Sequence, residues 1–317
     1  MKAVVIGGTG RVGTYLIPRL VNAGFETVVV GRGTSKPRKS NVVWEWVKQQ
    51  SINRQEAERA GTFGRQIAEL KPDVVIDMIC YNEQSARRLA DAVNGSIKHL
   101  LVCGTHWIYG HSTCVPADES TPMAPMCDYG RGKAAMTRYL LSRAEQDSLP
   151  VTVLHPGHIV STTDRPVNPC GNKNPDVFAQ IARGEEITLP NLGMETLHHV
   201  HADDLAQGFI KAIEHPDNAI GHSFHIMSPR AITLRGYAEA AYAWFDKQPR
   251  LSFLPWPEWK SNVEEKWANQ TWEHLAHSPH QSIDKARRLI GYQPRYSSMQ
   301  AVKEAVMWLI ENKVIAI

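Results

Sequence analysis

The chain of 317 residues lacks any apolar run near the roughly 20 residues that a bilayer-crossing helix requires, and its longest candidates are cut by proline or charge. A membrane partner is therefore not expected. Its opening run, Ala3-Val4-Val5-Ile6, is shorter than a secretory signal core of about 7 to 15 residues and reads as a first strand, so a cytoplasmic location is expected. Cysteine is scarce: Cys80, Cys103, Cys114, Cys127 and Cys170 are odd in number and never spaced Cys-x-x-Cys. That argues against a disulfide framework and a zinc knot, leaving reduced thiols. Charge of one sign is lacking too, with 35 Lys and Arg against 32 Asp and Glu. A surplus of +3 announces no nucleic-acid stripe, and the expected partner is a small molecule. There is no internal repeat and no low-complexity tract.

What is present is a globular chain, 43% hydrophobic and 21% charged, long enough for one large or two fused domains. Strand-like runs at Ala3 to Ile6, Thr27 to Val30, Val42 to Trp46, Val74 to Ile79, Leu100 to Cys103 and Val151 to Leu154 alternate with amphipathic stretches at Val12 to Ala23, Arg54 to Leu70, Glu83 to Val93 and Tyr129 to Gln146. Apolar runs of this kind belong to buried parallel strands, and the alternation predicts an α/β fold with a doubly wound parallel sheet. After Pro156 the pattern loosens into loops rich in Pro, Asn and Gly, short helices and a further strand at His222 to Met227. We expect residues 1–155 to form a dinucleotide-binding domain of Rossmann type, completed by a strand near 222–227, and residues 156–317 to form mostly a smaller α/β substrate-binding lid.

The first strand runs into Gly7-Gly8-Thr9-Gly10-Arg11-Val12-Gly13, where the chain turns into a helix. Glycine permits the turn and lets pyrophosphate oxygens approach free N–H groups at the helix N-terminus. Gly7, Thr9, Gly10, Arg11, Val12 and Gly13 are thus candidate cofactor contacts. The second strand ends Val30-Gly31-Arg32-Gly33, followed by Lys36, Arg38 and Lys39, where an NAD site would present Asp or Glu to the ribose. Arginine welcomes a 2′-phosphate, so Arg32 favours NADP(H), with NAD as the alternative.

Tyr129-Gly130-Arg131-Gly132-Lys133 places tyrosine and lysine four apart, stacked on one helical face. A nearby ammonium favours the phenolate, so Tyr129 is expected to titrate below its usual value of about 10 and to serve as acid/base. Upstream, His99 to Thr105 carries a strand to its C-terminal end and delivers the Thr105 hydroxyl there. With Tyr109-Gly110, His155-Pro156-Gly157-His158 and His199-Val200-His201-Ala202-Asp203-Asp204-Leu205, these residues resemble an extended short-chain dehydrogenase/reductase, and more narrowly the NAD-dependent epimerase/dehydratase family, over nearly the whole chain.

The resemblance implies Tyr129 as catalytic acid/base, Lys133 as its modulator and binder of the nicotinamide ribose, and Thr105 as the hydroxyl orienting substrate. It places Cys80 and Tyr81 beside the cofactor and His158 with Ile159 at the nicotinamide. It also implies a homodimer, paired through the helices at Glu83 to Val93 and Tyr129 to Gln146. In the family's sugar-nucleotide dehydratases the catalytic hydroxyl is followed by Asp and Glu. Here His106 and Trp107 follow Thr105, so dehydration is discounted. Asn53-Arg54 stands where relatives commonly place an acid near the adenine, and Val160 to Asp164 departs from the expected turn.

His198, His199 and His201, and His274, His277 and His280, are read as structural or substrate-pocket histidines rather than metal ligands, and no metal is expected. Trp244, Trp256, Trp259, Trp267 and Trp272 could line a substrate pocket, with core packing the plainer reading. The leading expectation is an NAD(P)-dependent oxidoreductase or epimerase moving hydride at a carbinol or keto carbon of a sugar-like substrate, a nucleotide sugar included. The alternative is a non-catalytic NADP(H)-binding sensor or an RNA-binding relative of the same fold.

Overall fold

The computed structural model describes residues 1–35, 37–38 and 41–316. Lys36 and Lys39, singled out above, lie outside the described residues. Among the described residues the central sheet has seven strands, all parallel: β1 (Lys2–Ile6), β2 (Glu26–Gly31), β3 (Lys48–Ser51), β4 (Val74–Asp77), β5 (His99–Cys103), β6 (Val151–Pro156) and β11 (Ser223–Ile226). Their order is β11-β6-β5-β4-β1-β2-β3, so the chain reverses direction across the sheet between β1 and β4. Ligand crevices of doubly wound sheets open at that switch, at the carboxyl ends of the strands.

Helices cover both faces. On one face α1 (Gly13–Asn22) buries Leu16, Ile17 and Leu20 completely against Ala3, Val5 and Ile76. Each such side chain contributes about 1.5–3 kcal/mol relative to exposure. On the other face α2 (Arg54–Arg59), α3 (Phe63–Ala68), α4 (Glu83–Val93) and α5 (Asp128–Asp147) pack over Val4, Ile6, Val75 and Val102. Gly61, at φ +67°, breaks the single helix expected over Arg54 to Leu70 into α2 and α3.

The run Val42 to Trp46, expected as the third strand, is instead a 3₁₀ turn in which the Asn41 side chain accepts from the Val43 N–H. The actual β3, Lys-Gln-Gln-Ser, is exposed throughout. It is an edge strand with no second layer over its outer side, so nothing demands apolar residues there.

Beyond β6 the chain forms β7 (His158–Val160), α6 (Asp176–Arg183), β8 (Ile187–Pro190), β9 (Thr196–Leu197), β10 (His199–His201), α7 (Ala202–Glu214) and α8 (Pro216–Ala219) before β11, then β12 (Ile232–Thr233), α9 (Leu234–Ala243), β13 (Leu251–Leu254), α10 (Trp256–Trp259), α11 (Glu265–His277), α12 (Asp284–Ile290) and α13 (Ser298–Glu311). Three two-stranded pairs, β7 with β10, β8 with β13 and β9 with β12, organise a separate hydrophobic cluster around Phe178, Tyr237, Tyr242 and Trp259. By contrast, α7 packs against α1, Arg19 pairing with Asp203 at 2.7 Å. Trp259 is buried and stacks on Trp256, while its indole N–H donates to the Thr188 carbonyl, so these tryptophans serve packing.

Candidate functional site

The glycine turn is as tight as its composition requires. Gly7 has φ +82°, and a Cβ on Gly13 would lie 1.8 Å from the Gly8 carbonyl oxygen. No side chain fits there, and the N-terminus of α1 opens into a cleft. That cleft consists of two cavities of about 600 and 570 Å³ that share Gly7, Gly10, Ile79 and Tyr81 in their walls. The larger is lined by Arg11, Val12 and Gly13, by Thr105, Tyr129 and Lys133, and by His158; the smaller is lined by Thr9 and Arg32. A turn that excludes Cβ atoms beside a helix terminus fits a dinucleotide's diphosphate.

Cys80 is placed differently from its neighbours. Ile79 and Tyr81 line the cleft, whereas the Cys80 thiol is buried, turned toward the Asn82 carbonyl, and pushed up to about 12 by burial.

Thr105 ends the run out of β5. Its N–H donates to His155 Nδ1 at 3.2 Å and its hydroxyl accepts from the Trp107 N–H at 3.3 Å. Gly104 is required beneath it, since a Cβ there would meet His155 Nδ1 at 2.2 Å. Tyr129 and Lys133 lie on the first turns of α5, whose N-terminus is capped by the Cys127 thiol.

The electrostatics of this pair differ from the spacing argument. Lys133 is buried and its Nζ donates to the Cys103 carbonyl at 2.6 Å, lying 5.9 Å from the centre of the Tyr129 ring and 5.0 Å from that of Tyr81. Burial lowers the ammonium below its usual range. The Tyr129 hydroxyl is raised above its ordinary value, chiefly by burial, with Thr105 acting in the opposite sense. Four-residue spacing puts the two side chains on one face, but the ammonium is anchored to a carbonyl rather than to the phenol. Tyr129, itself 44% exposed, is therefore not shifted toward the phenolate by this contact.

Asp164 and Arg54, singled out in the sequence only as departures from the family pattern, complete the cleft. Asp164 receives Arg11 at 2.5 Å and Arg38 at 2.9 Å, while Arg11 also donates to the Ile159 carbonyl, tying the glycine turn to the segment after β7. Arg54 lines the smaller cavity and holds Asp77, wholly buried at the end of β4, through Nη1 at 2.8 and 2.9 Å; its Nε pairs with Glu58. These pairs raise the guanidinium against the opposing effect of burial. The i,i+4 spacing of Arg54 and Glu58 was the one available signal.

His106, Trp107 and His274 line the larger cavity with His158. The His106 and His274 rings each stand edge-on to His158, at 4.8 and 4.9 Å between centres. Among the described residues no three His, Cys, Asp or Glu side chains gather as metal ligands, and no helix is long and apolar enough to cross a membrane.

Comparison with known proteins agrees with this geometry. The 2′-dehydrokanamycin reductase of Streptomyces kanamyceticus is 24% identical over 245 residues, covering 76% of this chain and 66% of its own length, so the chain spans just under two thirds of that curated relative. Among solved structures, dTDP-glucose 4,6-dehydratase from Bacillus anthracis, in complex with NAD, superposes with a TM-score of 0.76 at 17% identity, over 99% of this chain and 98% of the other. UDP-glucose 4-epimerase from Thermotoga maritima, with UDP-glucose, gives 0.76 at 18%, over 99% and 100%. These likenesses show the fold. The profile of the NAD dependent epimerase/dehydratase family matches residues 3–226, which include the glycine turn, Thr105, Tyr129 and Lys133, and the chain belongs to that family.

Proposed function

We propose that the protein is an NAD(P)-dependent enzyme of the extended short-chain dehydrogenase type, an epimerase or reductase acting at a carbinol or keto carbon of a sugar-like substrate. The observation that carries this reading is the convergence of Thr105, from the end of β5, with Tyr129 and Lys133, from α5, on the wall of the cavity that the glycine turn opens into. A bound nicotinamide cofactor accepts or supplies hydride. The chain's part is to bind, orient and move a proton.

In this reading Tyr129 Oη and Thr105 Oγ1 would hydrogen-bond one substrate oxygen, which their shared place in the cavity lining supports. As that oxygen gains negative charge, both donors stabilise it, and Tyr129 Oη passes its proton across. Because the resting phenol is neutral, this placement suits reduction of a carbonyl without prior protonation. Lys133, fixed by the Cys103 carbonyl, keeps the floor of the site cationic without competing for that oxygen. For the cofactor, Gly7, Gly10, Val12 and Gly13 would receive the diphosphate, with Arg11 beside them. Arg32, exposed at the mouth of the smaller cavity near Ser35 and Ser51, favours a 2′-phosphate and hence NADP(H). NAD, which the family name carries, is the competing cofactor. A homodimer in the cytoplasm is the expected state.

Tyr129→Phe tests the chemistry. Turnover with a carbonyl substrate is expected to fall by about 10²- to 10⁴-fold, the range for loss of a positioned acid, while NAD(P)H affinity measured by fluorescence titration stays within about two-fold. Unchanged turnover in that variant would remove Tyr129 from the reaction.

A further inference from the structure

We propose that His155, with His106 as a second tie, is a positioning residue of this site: its ring holds the main chain at Thr105 so that the Thr105 hydroxyl meets the same substrate oxygen as Tyr129. The proposal rests on the hydride-transfer reading above and adds to it a residue that is wholly buried behind the cavity wall.

The cause lies in how the sheet ends. Between β5 and β6 the main-chain ladder advances two residues at a step, and it reaches the Leu100 N–H on the Pro150 carbonyl at one end and the Gly104 N–H on the Leu154 carbonyl at the other. Two features then stop it. Pro156 has no N–H to return, and after Pro156 the chain leaves the sheet to form β7, which pairs with β10 instead. Among the described residues no main-chain bond joins the two strands beyond Gly104. Two imidazoles continue the connection. The Thr105 N–H donates to His155 Nδ1 at 3.2 Å, and His106 Nδ1 lies 3.0 Å from the Pro156 carbonyl, the acceptor due next in the ladder.

Each ring has one role. A main-chain N–H only donates, so His155 Nδ1 accepts and the ring's proton sits on Nε2; a carbonyl only accepts, so His106 carries its proton on Nδ1. The two bonds thus run in opposite directions across the gap, and a change of tautomer in either ring breaks its bond. Burial keeps both rings neutral at physiological pH, as these roles require. His155 is packed against Gly104, where a Cβ would meet Nδ1 at 2.2 Å, and is flanked by the rings of Tyr109 and His225 at 6.4 and 6.3 Å between centres. Those two are locked in turn: His225 donates from Nδ1 to the Ser282 carbonyl at 3.0 Å, so its Nε2 accepts the Tyr109 hydroxyl at 2.8 Å. The Nε2 atoms of His155 and His106 have no hydrogen-bond partner among the described residues. A buried polar atom left unpaired costs free energy and calls for a functional explanation. What the two rings hold is Thr105. With its N–H fixed and its hydroxyl oxygen accepting from the Trp107 N–H at 3.3 Å, the hydroxyl proton is left for a substrate oxygen.

The test uses the full chain. Long-range proton–nitrogen correlation spectra at neutral pH are expected to show a bare Nδ1 and a protonated Nε2 for His155, and the reverse for His106. Hydrogen exchange of the Thr105 amide is expected to quicken about ten-fold in His155→Leu, the effect of one lost hydrogen bond, and to return most of the way in His155→Asn, whose Oδ1 takes the place of Nδ1. With NADPH and dihydroxyacetone as the carbonyl probe, His155→Leu is expected to lower kcat by about 10- to 100-fold, as small misplacements of a reacting group do, with KM and cofactor affinity within about two-fold. In a Thr105→Val background the same change is expected to add nothing, whereas a merely structural histidine would lower both backgrounds alike. A protonated Nδ1 on His155, Thr105 exchange indifferent to His155→Leu, or additive losses would each overturn the proposal; if neither variant folds, the wild-type tautomers decide it. A chain that binds neither NADPH nor NADH defeats the hydride-transfer reading alone, and where the probe is not reduced the tautomers and the Thr105 exchange still decide the part of His155.

Discussion

At the glycine end of the cleft the wall is main chain, closed by Gly7, Gly10 and Gly13 and framed by the guanidinium groups of Arg11 and Arg38. At the other end, around Thr105, the wall is imidazole and indole gathered from three segments of the chain. The first kind of surface recognises what all dinucleotides share and depends little on solution conditions. The second is selective, because each ring nitrogen is fixed as donor or acceptor, and it is titratable. The molecule thus separates a general binding function from a specific one along a single cavity, and the two ends should respond to different perturbations.

Acid should act first on the buried histidines, those of the imidazole end and those packed behind it, and with the largest effect. Burial lowers His198, His225 and His274 to about 4 and His199 to about 3, against an unfolded value of about 6.5. Above pH 6.5 these rings are neutral in both states, so the native packing is at full strength. Between 6.5 and about 4, and down to about 3 for His199, the unfolded chain takes up protons that the folded chain refuses. Stability therefore falls as pH drops through that window, by about 1.4 kcal/mol per pH unit for each histidine, and levels off below it. A few such groups are enough to consume a typical stability of about 5–15 kcal/mol. Melting followed by circular dichroism from pH 7.5 to 4.5 should show a steep loss; a flat Tm would mean that these rings are not buried and neutral.

The glycine end should be insensitive to that titration and break instead at Gly13→Ala. A Cβ 1.8 Å from the Gly8 carbonyl forces the turn open. NAD(P)H affinity is expected to fall by about 100-fold, close to 3 kcal/mol. An affinity unchanged within three-fold would show that the turn does not form the diphosphate cradle. A double contrast sharpens the comparison, since His106→Phe should leave cofactor binding alone and Gly13→Ala should remove it.

How much of this was legible beforehand follows the same division. β1, β2, β4, β5 and β6 are buried on both faces, and their unbroken Val/Ile/Leu runs announce them; the glycine turn announces itself by spacing. β3 was hidden because an exposed edge strand of Lys, Gln and Ser carries no apolar signal, while Val42 to Trp46 carries one without forming a strand. Tyr129 and Lys133 were found by spacing, yet the preference of Lys133 for the Cys103 carbonyl depends on where β5 ends, which spacing does not encode. Arg54 and Asp77 stand 23 residues apart, and the histidine wall joins residues from 106 to 274. Contacts at such separations are products of the fold and leave no local trace in the chain.

The smallest effect, and the finest probe of the glycine end, concerns which dinucleotide it takes. Arg32 is exposed at the rim of the smaller cavity, and Ser51 of β3 donates to its backbone carbonyl at 3.3 Å. Arg54, in the same cavity, is held by Asp77 and Glu58 through Nη1 and Nε, while its Nη2 has no hydrogen-bond partner among the described residues. Arg32 is the exposed guanidinium at this rim, and its removal tests whether a 2′-phosphate is read there. An exposed pair of this kind contributes modestly, on the order of 1 kcal/mol or somewhat more for a phosphate. Arg32→Ala is thus expected to weaken NADPH by about ten-fold and leave NADH within two-fold, measured by fluorescence titration at low and at physiological salt. The NADPH loss should shrink as salt rises, because screening weakens the wild-type contact first. Equal weakening of both cofactors would mean that Arg32 supports the strand rather than reading the ribose, and no change in either would assign the protein to NAD.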